Sequence, residues 1–151
     1  MGRVFKAIHK VYSFMWKLTK PITVGVRALI FDKERIFLVK HTYDDYWYLP
    51  GGGVKKGETF EQSIRRELKE EVGIKFNKLK LFGVYNNFFE GKNDNIVVFE
   101  CSEFIIKNSR SSEIEMYNFF ELNNLPEKTS PGTKRRIEEY KKTNEPYFGM
   151  W

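Results

Sequence analysis

The chain has 151 residues, of which 41% are hydrophobic, 17% aromatic and 30% charged, a balance typical of one globular domain rather than of a disordered chain. A net charge of +6 favours phosphate-bearing partners without identifying one. The single cysteine, Cys101, excludes an internal disulfide framework and a Cys/His zinc pattern, and no apolar run reaches the roughly 18 residues of a membrane-spanning helix. We therefore expect a cytoplasmic protein in which Cys101 is a buried thiol.

Residues 3–18 have the pattern of an amphipathic helix. Their apolar side chains recur at alternating steps of four and three, and basic residues lie opposite, with no acidic residue among them. The apolar positions are Val4, Ile8, Val11, Met15 and Leu18. We expect this face to pack on the body of the domain or on a second copy of the chain, as a homodimer. Peripheral attachment to an anionic membrane surface is the alternative. The chain thus divides into a helix, residues 1–20, and one domain, residues 21–151.

After Pro21, β-branched and apolar runs separated by turn residues predict a series of strands. They cover residues 22–31, 35–40, 46–49, 79–87, 96–106 and 114–121. We expect the first two to form a hairpin around residues 32–34, and residues 88–95 to form a loop.

Two helices are predicted. The first covers residues 60–72, with Thr59 and Gln62 as a capping box and Gly73 as its terminator. Its buried stripe is predicted to be Phe60, Ile64, Leu68 and Val72. The second covers residues 131–142, with a proline in its first turn. We interpret its basic run, residues 134–136, as a solvated face, with phosphate contact as the alternative, and we expect the aromatic residues 146–151 to dock on the domain.

Three carboxylates of the first helix, Glu67, Glu70 and Glu71, are spaced at i, i+3 and i+4 and so lie on one face. Like charges at this spacing repel each other, and the repulsion is relieved when a hard divalent cation binds between them. The glycines at residues 51–53 let the backbone approach a ligand closely. We therefore predict a metal site.

The full spacing resembles the signature of the Nudix hydrolases. A glycine, five residues, a glutamate and seven residues lead to Arg-Glu-apolar-x-Glu-Glu-x-Gly-apolar. The matching positions are Gly52, Glu58, Arg66, Glu67, Leu68, Glu70, Glu71, Gly73 and Ile74. The stretch before it, residues 47–53, and Leu125-Pro126 also look like this family, so the resemblance extends over roughly residues 22–140.

That resemblance implies an α/β (α+β) fold, a Nudix-type α/β/α sandwich with a mixed β-sheet. It implies that Glu67, Glu70 and Glu71 bind Mg²⁺ or Mn²⁺ with the backbone carbonyl of Gly52, while Arg66 and Glu58 brace the site. Glu70 is the first candidate for the general base. A base from a loop outside the signature is the alternative, and Glu113 and Glu115 are available for that role.

The same resemblance implies hydrolysis of a nucleoside diphosphate linked to a group X, with ADP-ribose or a related nucleotide sugar as the first expectation. Alternatives are house-cleaning of oxidised nucleoside triphosphates, hydrolysis of dinucleoside polyphosphates, or a non-catalytic nucleotide- or RNA-binding module. No specific nucleic-acid partner is expected of the enzyme. Candidate contacts to a nucleotide substrate are Arg27, Lys40, His41, Phe88 and Phe89.

Overall fold

The structure, a computed structural model, describes residues 22–89, 92–107, 109, 111–143 and 145–151, with the backbone alone for Phe89 and Lys92. The predicted N-terminal helix lies outside these residues, so its packing and its division from the domain stay predictions. Along the chain the elements are β1 (Ile22–Leu29), β2 (Phe31–Asp32), β3 (Arg35–His41), β4 (Trp47–Tyr48), α1 (Phe60–Val72), β5 (Ile74–Phe89), β6 (Lys92–Ile106), β7 (Ile114–Glu121), α2 (Pro131–Lys142) and β8 (Tyr147–Met150).

Two four-stranded sheets carry the fold. The first has the order β1-β6-β5-β8 and is mixed, because β1 runs parallel to β6, β6 antiparallel to β5, and β5 parallel to β8. In the second, β3 pairs with β2 and β4 and also with β7. One core packs α1 against the first sheet, and a second core includes Ile137 of α2. The predicted mixed α/β fold is confirmed, and none of the described helices is long and apolar enough to cross a membrane.

The predicted hairpin between residues 22–31 and 35–40 was wrong. The chain leaves the sheet at Ile30, so β1 joins β6 in the first sheet, and only Phe31 and Asp32 pair with β3. Val26 and Ala28 are buried in one core and Leu29 in the other. A strand that is buried on both faces is apolar at successive positions, so its sequence does not indicate which strand it pairs with. The local pattern therefore favoured pairing with the next strand in the chain.

The loop predicted over residues 88–95 is also shorter than expected. β5 continues to Phe89 and β6 begins at Lys92, so three polar residues, Asn93, Asp94 and Asn95, lie within a strand. Cross-strand partners satisfy two of them: the hydroxyl of Thr23 donates to Asp94 Oδ1 at 2.6 Å, and Asn86 Nδ2 donates to Asn95 Oδ1 at 2.7 Å. Both hydrogen bonds join residues on neighbouring strands, so they depend on how the strands pair and cannot be predicted from the polar composition of the segment.

The first helix begins and ends as predicted. Both hydrogen bonds of the Thr59–Gln62 capping box are present, and Gly73 has a left-handed backbone with φ of 68°. Ile64, Leu68 and Val72 are fully buried. The predicted burial of Phe60 was wrong: it is the first residue of α1 and remains exposed. The buried stripe starts one turn later, where the helix reaches the sheet.

The basic face predicted for α2 is only partly solvated. Lys134 is exposed, but Arg136 is 1% exposed and its guanidinium lies 3.8 Å from the ring centroid of Tyr85. Trp151, the residue after β8, covers this part of the helix, since it packs so closely on Gly132 that a Cβ there would lie 2.3 Å from its Nε1. Docking of the aromatic C-terminus is thereby confirmed, and it is the reason that Arg136 is buried.

Candidate active site

The glycine-rich turn lies between β1 and the acidic face of α1. The carbonyl of Gly52 accepts a hydrogen bond from Val26 N–H at 2.9 Å, which holds the turn against β1. On the other side, Gly51 N–H donates to Glu71 Oε2 at 3.0 Å. A Cβ at Gly52 would lie 2.6 Å from the carboxylate of Glu67, so a larger residue there would displace that side chain. The close approach predicted for these glycines is therefore made to the acids themselves.

Arg66 links four parts of this site. Its Nε and Nη2 donate to the two carboxylate oxygens of Glu58 at 2.6 and 2.9 Å, and its Nη1 donates to Glu67 at 2.7 Å and to Glu70 at 3.3 Å. Nη2 also donates to the carbonyl of Gly53 at 3.1 Å. The guanidinium holds the pKa of Glu58 down at about 2, and its own pKa is raised by the same contacts. Arg66 thus fixes the turn relative to the helix.

The three acids differ in exposure. Glu71 is 6% exposed, the side chain of Glu67 is 14% exposed and that of Glu70 is 57% exposed. Burial raises the pKa of Glu71 to about 7, against the opposing effects of Gly51 N–H and the positive charge of Arg27. The carboxylate of Glu67 acts in the same direction as burial, because a second negative charge nearby disfavours ionisation.

Oxygen donors of this kind suit a hard divalent cation. Three carboxylates, those of Glu58, Glu67 and Glu70, contact the guanidinium of Arg66, which leaves an excess of negative charge around it. Glu71 is bonded to the glycine-rich turn instead. In the side-chain positions of the described residues, no three His, Cys, Asp or Glu groups are gathered around one point, because Glu67 and Glu70 turn towards Arg66. The donor chemistry and the close Gly52–Glu67 approach fit a metal.

A cleft of about 460 Å³ opens beside Glu71. The start of β7 and the segment before it form its other wall, which is lined by Ser109, Ser111, Ile114, Glu115, Met116 and Tyr117. Of the two alternative bases, Glu115 is paired with Lys40 at 2.9 Å, whereas the charge of Glu113 is close enough to contribute to the raised pKa of Glu71.

The five residues predicted to contact substrate lie in different parts of the structure. The charge of Arg27 acts on both Glu71 and His41, so these three groups share one region. Lys40 is already paired with Glu115 and faces Asp45. Phe88 is exposed near the end of the β5–β6 hairpin, opposite Asn93, and the side chain of Phe89 lies outside the described atoms. The roles of all five residues stay predictions.

The structure adds an aromatic group around His41 that no sequence pattern had predicted. Its ring is stacked on Tyr43 with centroids 5.0 Å apart and lies 5.6 Å from the ring of Tyr48. His41 Nδ1 is buried and has no hydrogen-bond partner among the described residues, and burial lowers the pKa of the imidazole. The hydrogen bond from Gly51 to Glu71 was not predicted either. The run of consecutive glycines was the sequence feature that could have indicated such a close backbone contact.

The chain has a mixed α/β fold in which an acid-bearing helix follows a glycine-rich turn, and comparison with known proteins identifies its family. The NUDIX domain matches residues 21–140. An ADP-ribose pyrophosphatase of Methanocaldococcus jannaschii is 31% identical over 126 residues, which cover 80% of this chain and 75% of that protein. An RNA pyrophosphohydrolase of Hydrogenovibrio crunogenus is 42% identical over 60 residues, only 39% of this chain and 36% of that protein.

Among solved structures, a MutT NUDIX hydrolase from Burkholderia pseudomallei matches with a TM-score of 0.70 and 27% identity, over 78% of this chain and 97% of that one. The chain belongs to the Nudix family of hydrolases. The predicted family and enzyme class are therefore confirmed, and with them the action on pyrophosphate bonds that the family name denotes.

Proposed function

We propose that this chain hydrolyses the diphosphate linkage of a nucleoside diphosphate-X substrate, with ADP-ribose as the first candidate and a nucleoside monophosphate as one product. The observation that carries the proposal is the position of Glu71. It is buried beside the cleft and hydrogen-bonded to the glycine-rich turn, while Glu67 and Glu70 extend from the same helix face. An anionic site next to a cleft is unfavourable for a phosphate substrate unless a cation accompanies it.

We assign Glu67, Glu70, Glu71 and the carbonyl of Gly52 as ligands of Mg²⁺ or Mn²⁺. When bound, the ion neutralises phosphate oxygens and lowers the pKa of a water ligand. Glu58 and Arg66 act as positioning residues, because their two hydrogen bonds hold the guanidinium that orients Glu67. Of the three acids, Glu70 has the carboxylate most accessible to water, so we assign it as the general base that takes a proton from the attacking water.

ADP-ribose comes first because the relative named for it aligns with 80% of this chain. The cleft of about 460 Å³ is within the usual range for a small-molecule site, roughly 300–1,000 Å³. A second candidate is a nucleoside triphosphate, including oxidised forms, and it is favoured by 35% identity over 69 residues, 43% of this chain, to a protein of Buchnera aphidicola named 8-oxo-dGTP diphosphatase. The aromatic group of His41, Tyr43 and Tyr48 offers stacking surfaces to the base of either substrate.

Purified protein should be tested with Mg²⁺ against ADP-ribose, nucleotide sugars, dinucleoside polyphosphates, and normal and oxidised triphosphates. We expect monophosphate release from ADP-ribose and its loss on chelation. Glu70→Gln and Glu71→Gln should each lower kcat by about 10²–10⁴-fold.

Glu61→Gln is the matched control, because Glu61 lies on the same helix but pairs with Arg65. Full activity in both site variants would refute the metal assignment. Release of monophosphate only from another substrate would replace ADP-ribose while leaving the site intact.

A further inference from the structure

One face of the first sheet carries a row of apolar residues that runs from edge to edge. Residues paired across neighbouring strands project to the same side, and alternate residues along a strand share a face. Val26 of β1 therefore shares its face with Val97, Val84 and Phe148, which occupy the same row on β6, β5 and β8. Met150 lies one alternate position along β8 and belongs to this face as well.

Helix α1 covers only half of that face. Val26 and Val97 are buried with Ile64 and Leu68 of the helix in one core. On the β5–β8 half, and at the start of β1, six large apolar side chains of the same face are between 40% and 87% exposed. We name them the outer apolar face: Ile22, Leu81, Val84, Phe88, Phe148 and Met150.

Isolated apolar residues on a surface need no explanation, but a contiguous group on one sheet face indicates a covering partner. We propose that residues 4–18 of this same chain cover the outer apolar face, lying beside α1 as a second helix of that layer. The described chain begins at Ile22, which is itself a member of the face, so the preceding segment is attached where the cover is needed.

The dimensions support this occupant. In helical form residues 4–18 would be about 22 Å long at 1.5 Å per residue. The stretch of β5 from Leu81 to Phe88 spans about 23 Å at 3.3 Å per residue. From Leu18 to Ile22 four residue steps reach up to roughly 13 Å, enough to rise to a layer about 10 Å above the sheet.

The character of the segment supports it too. Its apolar residues at 4, 8, 11, 15 and 18 form one stripe, and its basic residues lie opposite. With the stripe on the sheet, the basic side would face water, and no charge would be buried. Asn86 and Asn95, which share the face with Met150, are hydrogen-bonded to each other and do not require a charged partner.

The test is hydrogen exchange of the full-length protein, read by mass spectrometry over residues 4–18. We expect amide protection there in the wild type and a loss of about tenfold or more in Phe148→Glu, because a charge at the centre of the face would release the segment. Ile105→Glu is the matched control: Ile105 is an exposed apolar residue of β6, and its neighbour Phe104, which is partly buried, packs against the core on the opposite face. Protection of α1 should be unchanged in every variant. If Phe148→Glu fails to fold, Met150→Glu serves in its place.

Three results would overturn the proposal. Light scattering could show a dimer that Phe148→Glu dissociates while residues 4–18 stay unprotected, so that a second copy covers the face. Amide protection of residues 4–18 could appear only when vesicles of anionic lipid are added, which would mean that the segment binds a membrane instead. That protection could also persist in both Phe148→Glu and Met150→Glu, which would mean that the segment packs elsewhere.

Discussion

The guanidinium of Arg66 and the carboxylate of Glu58 form a two-pronged hydrogen bond, with N···O distances of 2.6 and 2.9 Å, across the gap between the turn and helix α1. Glu58 also accepts from Lys55 N–H at 3.0 Å, which ties the ion pair to the turn backbone. Because the same guanidinium contacts Glu67 and Glu70, the geometry of the acids depends on a residue that need not touch substrate.

Arg66→Lys tests this dependence. Lysine keeps the charge but cannot form the planar fork, so Glu67 loses its fixed orientation. We expect metal affinity or kcat to fall by about 10–100-fold, as for other residues that orient metal ligands. Manganese titration calorimetry and initial rates measure the two effects. Arg65→Lys is the control, because Arg65 pairs with Glu61 on another side of α1, and an equal loss in that variant would contradict the prediction.

Gly52→Ala and Gly53→Ala form a matched pair. A Cβ at residue 52 would lie 2.6 Å from the Glu67 carboxylate, whereas one at residue 53 would have no heavy atom within 4 Å. Because the obstructed group is the end of a flexible side chain, Gly52→Ala should fold but displace Glu67. We expect about 10–100-fold lower activity for Gly52→Ala and little change for Gly53→Ala. Equal rates for the two variants would show that the close approach has no role.

The Glu58–Arg66 pair also predicts a pH dependence of stability. The pKa of Glu58 is about 2 in the folded chain, below its ordinary value of 4.5. A lowered pKa means that the ionised form favours folding, so the contribution is complete above pH 4.5 and is lost as the pH falls towards 2.

Urea unfolding at several pH values should therefore give a free-energy difference between wild type and Glu58→Gln that shrinks over this window. Glu61→Gln is the control, because Glu61 forms an exposed ion pair with Arg65. Its free energy of unfolding should differ little from that of the wild type at every pH. A constant difference for Glu58→Gln would contradict the assigned cause.

Arg136 anchors the C-terminal strand to α2, because its Nη1 and Nη2 both donate to the carbonyl of Met150 at 3.3 Å. Its Nη2 donates to Glu139 Oε1 at 2.7 Å, Tyr85 O–H donates to Glu139 Oε2 at 2.8 Å, and the guanidinium lies over the Tyr85 ring. Removing one partner of a buried ion pair costs about 3–5 kcal/mol, and we expect Arg136→Ala at the lower end because Glu139 can regain some hydration. The neighbouring exposed residue provides the control, Lys134→Ala, which should change the free energy of unfolding by less than about 0.5 kcal/mol.

Cys101 should be inert in the folded chain. It is buried, and burial raises the pKa of its thiol to about 12. At pH 8 the native thiolate fraction is then roughly 10³-fold below that of an ordinary exposed thiol. Reaction with a thiol-specific chromogenic reagent should be slow in buffer and fast in denaturant. Rapid labelling of the native protein would contradict the burial.

Local signals predicted α1 almost residue for residue. Thr59, Gln62 and Gly73 act on backbone groups within a few positions, so their effect does not depend on the rest of the chain. Pairing of β1 with β6 was not predictable in this way, since it joins residues about 70 positions apart. Nor was the burial of Arg136, which required the C-terminus to pack on α2.

The sequence by itself determined that three carboxylates share one face of a capped helix behind a run of glycines, because helical spacing and capping are local properties. Only the tertiary structure decided that these carboxylates differ. Glu71 is buried against Gly51, Glu67 is held by Arg66 beside Gly52, and Glu70 is left in water. Exposure and pKa depend on what packs around each group, and here those neighbours come from β1, the glycine turn and the segment that leads into β7.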